Sequence, residues 1–379
     1  MKDCLKTSFD HGGNVFAVSR SLGVSPEDIL DFSASINPLG PAQGVREALL
    51  TVFSRLAHYP DSDCTELREA LAESHGVEPA NICVANGSTQ LIYLLPRLAP
   101  GKRALVVAPA FSEYARALAR DGWGVEQFVL DATDGFAFPL NRLEMSLRNG
   151  YDLLILGNPG NPTGRLYPIS VVEAIHRLCR AAGCFLILDE AFMDFCEEGS
   201  AKHHAAEREG ILVLRSLTKF YALPGVRVGY AIGKTSIIAR LALSREPWSV
   251  NIFAQAAGLA SLADAGYAAA TMKLILLERE HLFAGLAAIP GLSPFSSAAN
   301  YLLVEIVRGP SASELAERLL ARLILIRACG NFAGLDDRFF RVAVRKREEN
   351  DQILAALAAA VPCSSSPVKT VRPDGQRAF

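Results

Sequence analysis

Arg215-Ser216-Leu217-Thr218-Lys219-Phe220-Tyr221-Ala222-Leu223-Pro224-Gly225-Val226-Arg227-Val228-Gly229-Tyr230 sets a lysine just after two hydroxyl side chains and eight residues before an arginine. Apolar runs flank it, reading as a buried strand over 211–214 and a second over 226–232. Lysine is usually a solvated surface residue. One held between buried strands, with Ser216, Thr218 and Arg227 close by, reads as an amine beside an anion site. A loop lysine near a chance arginine is the plainer alternative.

An amine so placed can form a Schiff base with a carbonyl cofactor. Pyridoxal 5'-phosphate suits the stretch, because Ser216, Thr218 and Arg227 offer donors for its phosphate.

The 379 residues exceed a usual single core, so one large and one smaller domain are expected. A chain that is 50% hydrophobic and 21% charged folds as a globule. Its formal charge of −2 speaks against general nucleic-acid binding, and no dense Lys/Arg tract marks a membrane surface. Residues 1–10 lack the apolar run of a secretory signal and no apolar run reaches membrane-spanning length, so a cytoplasmic location is expected. The eight cysteines form no C-x-x-C pair, so no metal site is expected from them. Cys83, Cys184 and Cys329 sit in apolar runs and read as reduced core thiols.

Residues 1–45 read as irregular, with polar clusters at His11-Gly12-Gly13-Asn14 and Ser33-Ala34-Ser35-Ile36-Asn37-Pro38 that ordinary turn chemistry explains. From Thr65 onward, helical patterns over 65–74, 90–97, 112–120, 140–147 and 169–182 alternate with apolar strand patterns over 82–85, 104–108, 125–130, 153–156 and 185–188. Strands apolar on both sides predict a largely parallel sheet covered on both faces. Ligands of such sheets collect at the carboxyl ends of strands, where Asn86, Asn158, Asp189 and Ser216 stand. Beyond Trp248, helices over 253–264 and 267–286 lead to an α+β segment with strands over 301–306, 323–327 and 339–344. The domain boundaries expected are an N-terminal arm over 1–45, a large domain over 46–265, a small one over 266–361 and a disordered tail over 362–379.

Asn86-Gly87-Ser88-Thr89-Gln90, between a strand and a helix, offers free N–H groups as a phosphate cradle or serves as a simple N-cap. Asp189 closes an apolar strand, where a carboxylate is costly without a partner. A protonated pyridine nitrogen is one partner and a structural salt bridge another. Asn161 can donate to a phenolic oxygen, Phe111 can stack on a ring, and Arg341 can fork onto a substrate carboxylate. Ordinary turn, core and surface roles stand beside each.

Taken together, Tyr59, Asn86-Gly87-Ser88, Asn158-Pro159-Gly160-Asn161-Pro162-Thr163-Gly164, Asp189-Glu190-Ala191, Ser216-Leu217-Thr218-Lys219 and Arg227 resemble the fold-type I pyridoxal-phosphate enzymes, in the branch of histidinol-phosphate aminotransferase. The resemblance spans about residues 11–361. It implies an aspartate aminotransferase-like fold, with a mainly parallel seven-stranded sheet in the large domain and a smaller α+β domain. It further implies Lys219 as the Schiff-base lysine, Asp189 on the pyridine nitrogen and Asn161 on the phenolic oxygen. Ser88, Ser216, Thr218 and Arg227 would hold the phosphate, and Tyr59 would reach in from the other subunit of a homodimer. Phe192 departs from the pattern, since aminotransferases of this branch commonly carry tyrosine there.

Within the branch, His11-Gly12-Gly13-Asn14, Asp31-Phe32-Ser33-Ala34-Ser35-Ile36-Asn37-Pro38, Ile326-Arg327-Ala328-Cys329-Gly330-Asn331-Phe332 and Phe340-Arg341-Val342-Ala343-Val344-Arg345 resemble the threonine-phosphate decarboxylases of cobalamin synthesis. That resemblance implies decarboxylation of L-threonine O-3-phosphate, with His11, Ser35, Asn161, Arg327 and Arg341 around the substrate. Transamination of histidinol phosphate or an aromatic amino acid is the alternative.

Overall fold

The computed structural model describes residues 11–361, so the expectations for the first ten residues and for 362–379 lie outside the described residues. Residues 11–45 are not the irregular stretch expected. They hold a helix at Val15–Leu22, stopped by left-handed Gly23, and a two-residue strand, β1 (Leu30–Asp31). β1 exists only through parallel pairing with Ile324 and Leu325, a contact too distant in sequence to leave a local signal.

The large sheet comprises β2 (Ile82–Ala85), β3 (Arg103–Ala108), β4 (Gly124–Val129), β5 (Leu153–Gly157), β6 (Phe185–Asp189), β7 (Ile211–Ser216) and β8 (Gly229–Ile232). Its seven strands run in the order β2-β8-β7-β6-β5-β3-β4. The apolar runs bury both faces. Leu154, Leu156, Leu186, Leu188, Ile211 and Val213 join one core, while Leu153, Ile155, Ile187, Leu212 and Leu214 join the other. That two-residue alternation explains why each strand reads as continuously apolar.

β8 alone opposes its neighbours, pairing antiparallel with both β2 and β7. Strands β2, β5, β6 and β7 therefore end at one edge, and β8 begins there. This brings Arg227, two residues before β8, to the same edge as Asn86, Asn158, Asp189 and Ser216. The strand expected from Val226 starts only at Gly229, because Arg227 takes a left-handed conformation at φ 64°. A side chain pays for that conformation, so the surrounding loop must impose it.

The C-terminal part carries β9 (Leu292–Pro294), β10 (Tyr301–Ile306), β11 (Ile324–Leu325), β12 (Arg327–Ala328) and β13 (Phe339–Ala343). A four-stranded antiparallel sheet forms in the order β12-β13-β10-β9. The single strand expected over 323–327 is two: β11 pairs with β1 and β12 with β13. Each half follows its own partner, and Ile326 is left between them.

Asn37, in a cluster explicable as a plain turn, is buried and ties three segments together. Its side-chain nitrogen lies 2.8 Å from Phe220 O, 2.9 Å from the Tyr267 hydroxyl and 2.7 Å from Thr271 Oγ1, and its backbone N–H donates to Lys219 O at 3.1 Å. Removing a buried partner of this kind leaves unsatisfied groups at about 1–3 kcal/mol. Asn37→Ala is expected to lower the urea-unfolding free energy by about that amount; an unchanged midpoint would show that the arm does not brace the Lys219 turn.

Candidate active site

Lys219 rides a single-turn helix, Leu217–Phe220, at the end of β7. Ser216 caps it: its Oγ accepts from the Thr218 N–H at 3.4 Å and lies 2.8 Å from Thr218 Oγ1. The lysine lines a cavity of about 520 Å³ at the carboxyl edge of the sheet. Among the described residues no hydrogen bond or ion pair holds its amine. Burial first, then the charges of Arg341 and Arg227, push that amine down to about 8, and Asp189 works against them.

One end of the cavity is built for an anion. Ser88, Ser216, Thr218 and Arg227 line it, beside the N-terminus of the helix Gly87–Leu94. Gly229 makes the cradle possible, since a Cβ there would come within 2.4 Å of Ser88 N. Gly87 does the same for Arg227, whose Nη2 would lie 2.9 Å from a Cβ at that position.

Asp189 closes β6 on the cavity wall. Its Oδ2 accepts from the Tyr114 hydroxyl at 2.6 Å and its Oδ1 from the Ala191 N–H at 2.9 Å. Burial pushes its carboxyl up, although Tyr114, Ala191 and Lys219 each favour the ionised form. Behind it lies a buried ionic cluster. Arg215 donates to Glu190 at 3.3 Å, Asp194 at 3.0 Å and Ser200 at 3.2 Å, and also bonds Glu197. Burial drives Glu190 up to about 7, while His75, Arg215 and Lys202 hold Glu197 below the usual carboxylate range against the cost of its burial.

The other end is cationic too. Arg341 bonds Asn161 Oδ1 and donates to Ser33 O at 2.7 Å, with its guanidinium 5.0 Å from the centre of the Tyr301 ring. Arg327 donates to Asn331 Oδ1 at 2.8 Å and lies 5.0 Å over Phe332. Ser35 Oγ and Arg341 Nε, both on residues that line the cavity, have no hydrogen-bond partner among the described residues. Phe111 lines the wall between the two ends, 5.3 Å from the ring of His11, and Phe192 packs edge-on against Tyr301 at 4.9 Å.

Three residues singled out in the sequence do not line this cavity. Asn86 is exposed, with its N–H on Gln90 Oε1 at 2.8 Å, and Gly87 lies behind Arg227. Tyr59 is 79% exposed and stacks on Trp248 at 4.6 Å. Sequence reasoning passed over Tyr114, Glu113, Asn331 and Arg215. Tyr114 and Glu113 sit inside a helical pattern and Arg215 directly follows the strand pattern over 211–214, so only spatial neighbours reveal them. Among the described residues no group of His, Cys, Asp or Glu is arranged to hold a metal, and no single helix is long and apolar enough to cross a membrane.

The model of the class I and II aminotransferases matches residues 27–357. The chain belongs to that family. Among its relatives, the threonine-phosphate decarboxylase of Salmonella typhimurium is 40% identical over 349 residues, covering 92% of this chain and 95% of that protein. The histidinol-phosphate aminotransferase of Roseiflexus castenholzii is 36% identical over 354 residues, covering 90% and 92%. The crystal structure of the Clostridium acetobutylicum histidinol-phosphate aminotransferase superposes with a TM-score of 0.82 at 29% identity, covering 87% of this chain and 98% of that one. This class I and II enzyme is pyridoxal-phosphate dependent, with the aspartate aminotransferase-like fold.

The residues present fit that cofactor. The glycine-backed cradle with its hydroxyls and Arg227 suits a phosphate, the poorly compensated Asp189 carboxyl suits a protonated ring nitrogen, and the unpaired Lys219 amine suits an aldehyde.

A lysine held at about 8 when folded, against an ordinary value near 10.4, carries a definite pH signature. Between those values the unfolded chain binds the proton more tightly, so the penalty is full below pH 8 and fades as pH rises through that window. In protein stripped of cofactor, Lys219→Met is expected to be the more stable by on the order of 1 kcal/mol at pH 7, allowing for solvent in the cavity. The gap should close towards pH 10 in urea-unfolding measurements; a gap independent of pH would remove the buried-amine account.

Proposed function

We propose that the protein decarboxylates L-threonine O-3-phosphate to (R)-1-amino-2-propanol O-2-phosphate and CO2, supplying the linker of the cobalamin nucleotide loop. One observation carries the reading. Arg327 and Arg341 are register partners on β12 and β13, both buried, and both line the cavity away from the cradle. Like charges directly across a strand pair repel. A substrate with two anionic groups, a carboxylate and a phosphate, relieves that repulsion and fills the cationic end. The 40% identity to the Salmonella decarboxylase supports the same choice.

In this reading Ser88, Ser216, Thr218 and Arg227 hold the cofactor phosphate, Asp189 the ring nitrogen, Asn161 the phenolic oxygen, and Lys219 the aldehyde carbon. Pyridoxal phosphate supplies the electron sink for the pair left at Cα. This chain's residues would choose which bond at Cα is broken through where they anchor the substrate. Arg341 takes the carboxylate, while His11, Ser35 and Arg327 take the substrate phosphate. Lys219 then returns a proton to Cα, which completes an amine product. Phe192 cannot donate a hydrogen bond to the phenolic oxygen. The homodimer, with Tyr59 reaching the partner's cofactor, and the division into domains over 46–265 and 266–361 belong to the same proposal.

Carboxyl-labelled L-threonine O-3-phosphate, incubated with cofactor-loaded enzyme and no keto acid, is expected to release labelled CO2. If none appears, and 2-oxoglutarate with histidinol phosphate yields glutamate instead, transamination replaces this reading, as the Roseiflexus relative would suggest. Arg341→Ala should raise KM for the phosphorylated amino acid by about tenfold or more, the loss of a charged hydrogen-bonded contact. Unchanged kinetics would move the carboxylate site elsewhere.

A further inference from the structure

Glu113 plays no part in the chemistry above, yet its carboxylate is bonded on both oxygens, between the cavity-lining residues Ser112 and Tyr114. It opens the helix Glu113–Arg120 and is only 8% exposed. Its Oε1 lies 2.8 Å from His11 Nε2 and accepts from Arg116 at 3.1 Å. Its Oε2 accepts from the Tyr93 hydroxyl at 2.7 Å. Burial pushes this carboxyl up, but the bonds from Tyr93, His11 and Arg116 outweigh it and leave it below its usual range. A carboxylate buried at this cost and bonded on both oxygens keeps a fixed position.

His11 is also held from its backbone. Gly13 N–H donates to Ser33 Oγ at 2.8 Å, and Gly12 runs so close to Ser33 that a Cβ would stand 2.1 Å from its carbonyl oxygen. The same carbonyl accepts from Arg341 at 2.7 Å. The imidazole thus spans the mouth from the Ser33–Arg341 side to the Phe111–Glu113 side, with its Nε2 committed to Glu113. Among the described residues, Nδ1 is the ring nitrogen that remains.

We propose that Glu113, fixed by Tyr93, is a positioning residue that orients the His11 ring so that Nδ1 is presented to the phosphate of the substrate. A histidine bonded to a fixed carboxylate through one ring nitrogen presents the other in a fixed direction. Tyr93 belongs to the helix Gly87–Leu94, whose N-terminus edges the cofactor end of the cavity. The orientation of His11 is therefore referenced to the same element as the cradle.

This inference rests on the phosphorylated-substrate reading above, and its test separates the two. With holoenzyme, Glu113→Ala and the volume-keeping Glu113→Gln are each expected to raise KM for L-threonine O-3-phosphate about tenfold while kcat stays within about twofold, the loss of one charged hydrogen bond in binding. Tyr93→Phe should give a smaller rise in the same direction. In a His11→Ala background the Glu113 substitutions should add nothing further, and Glu113→Asp should recover part of the loss. The same cycle is run on the Kd of inorganic phosphate for the holoenzyme, which needs no turnover. Coupling of Glu113 with His11 in that Kd supports the positioning role even where no CO2 is released and the decarboxylase reading falls. Additive effects, or an unchanged phosphate Kd in both Glu113 variants, overturn it.

Discussion

The Arg215 guanidinium is fully buried, and the site is built around that constraint. It sits one residue before Ser216, and of its acidic partners Glu190 directly follows Asp189 while Asp194 and Glu197 lie in the turns just beyond. The cluster thus locks the ends of two adjacent parallel strands, the ones that deliver Asp189 on one side and Ser216, Thr218 and Lys219 on the other. Removing one member of a buried ionic group costs about 3–5 kcal/mol because the remainder is stranded. The two strand ends therefore keep a fixed separation.

Charge is distributed over the cavity with the same economy. Arg227 stands at one end, Arg341 and Arg327 at the other, and the Lys219 amine between them is pushed down to about 8 by burial and by two of those arginines. Asp189 is the carboxylate that faces them, raised by its own burial. Anions that enter this cavity meet the charges of those three arginines. Among the left-handed non-glycine residues, Arg227 is one whose guanidinium lines the cavity.

Much of this was legible in one dimension. The stretch around Lys219, the polar residues after each apolar strand, and the alternation of strand and helix all follow from local chemistry that neighbours in sequence carry. The unread parts share a different character. β1 is two residues long and is defined by a partner nearly three hundred positions away. The strand expected over 323–327 divides because its halves answer to different sheets. Asn37 looked like turn chemistry, although its amide is the clasp between the arm, the Lys219 turn and the long helix Ala265–Ala288.

The sequence by itself determined the fold class, the order of the candidate site residues and, through the resemblance of its ordered motifs, the family, because strand burial, turn chemistry and a lysine beside hydroxyls are each written in short stretches. Only the tertiary structure decided which charges meet. The antiparallel β8 carries Arg227 to the ligand edge, the β12–β13 register sets Arg327 opposite Arg341, and the folded arm lays His11 on Glu113. Those juxtapositions depend on pairings between distant segments, whose energy appears only when the sheets and the arm have closed around the cavity.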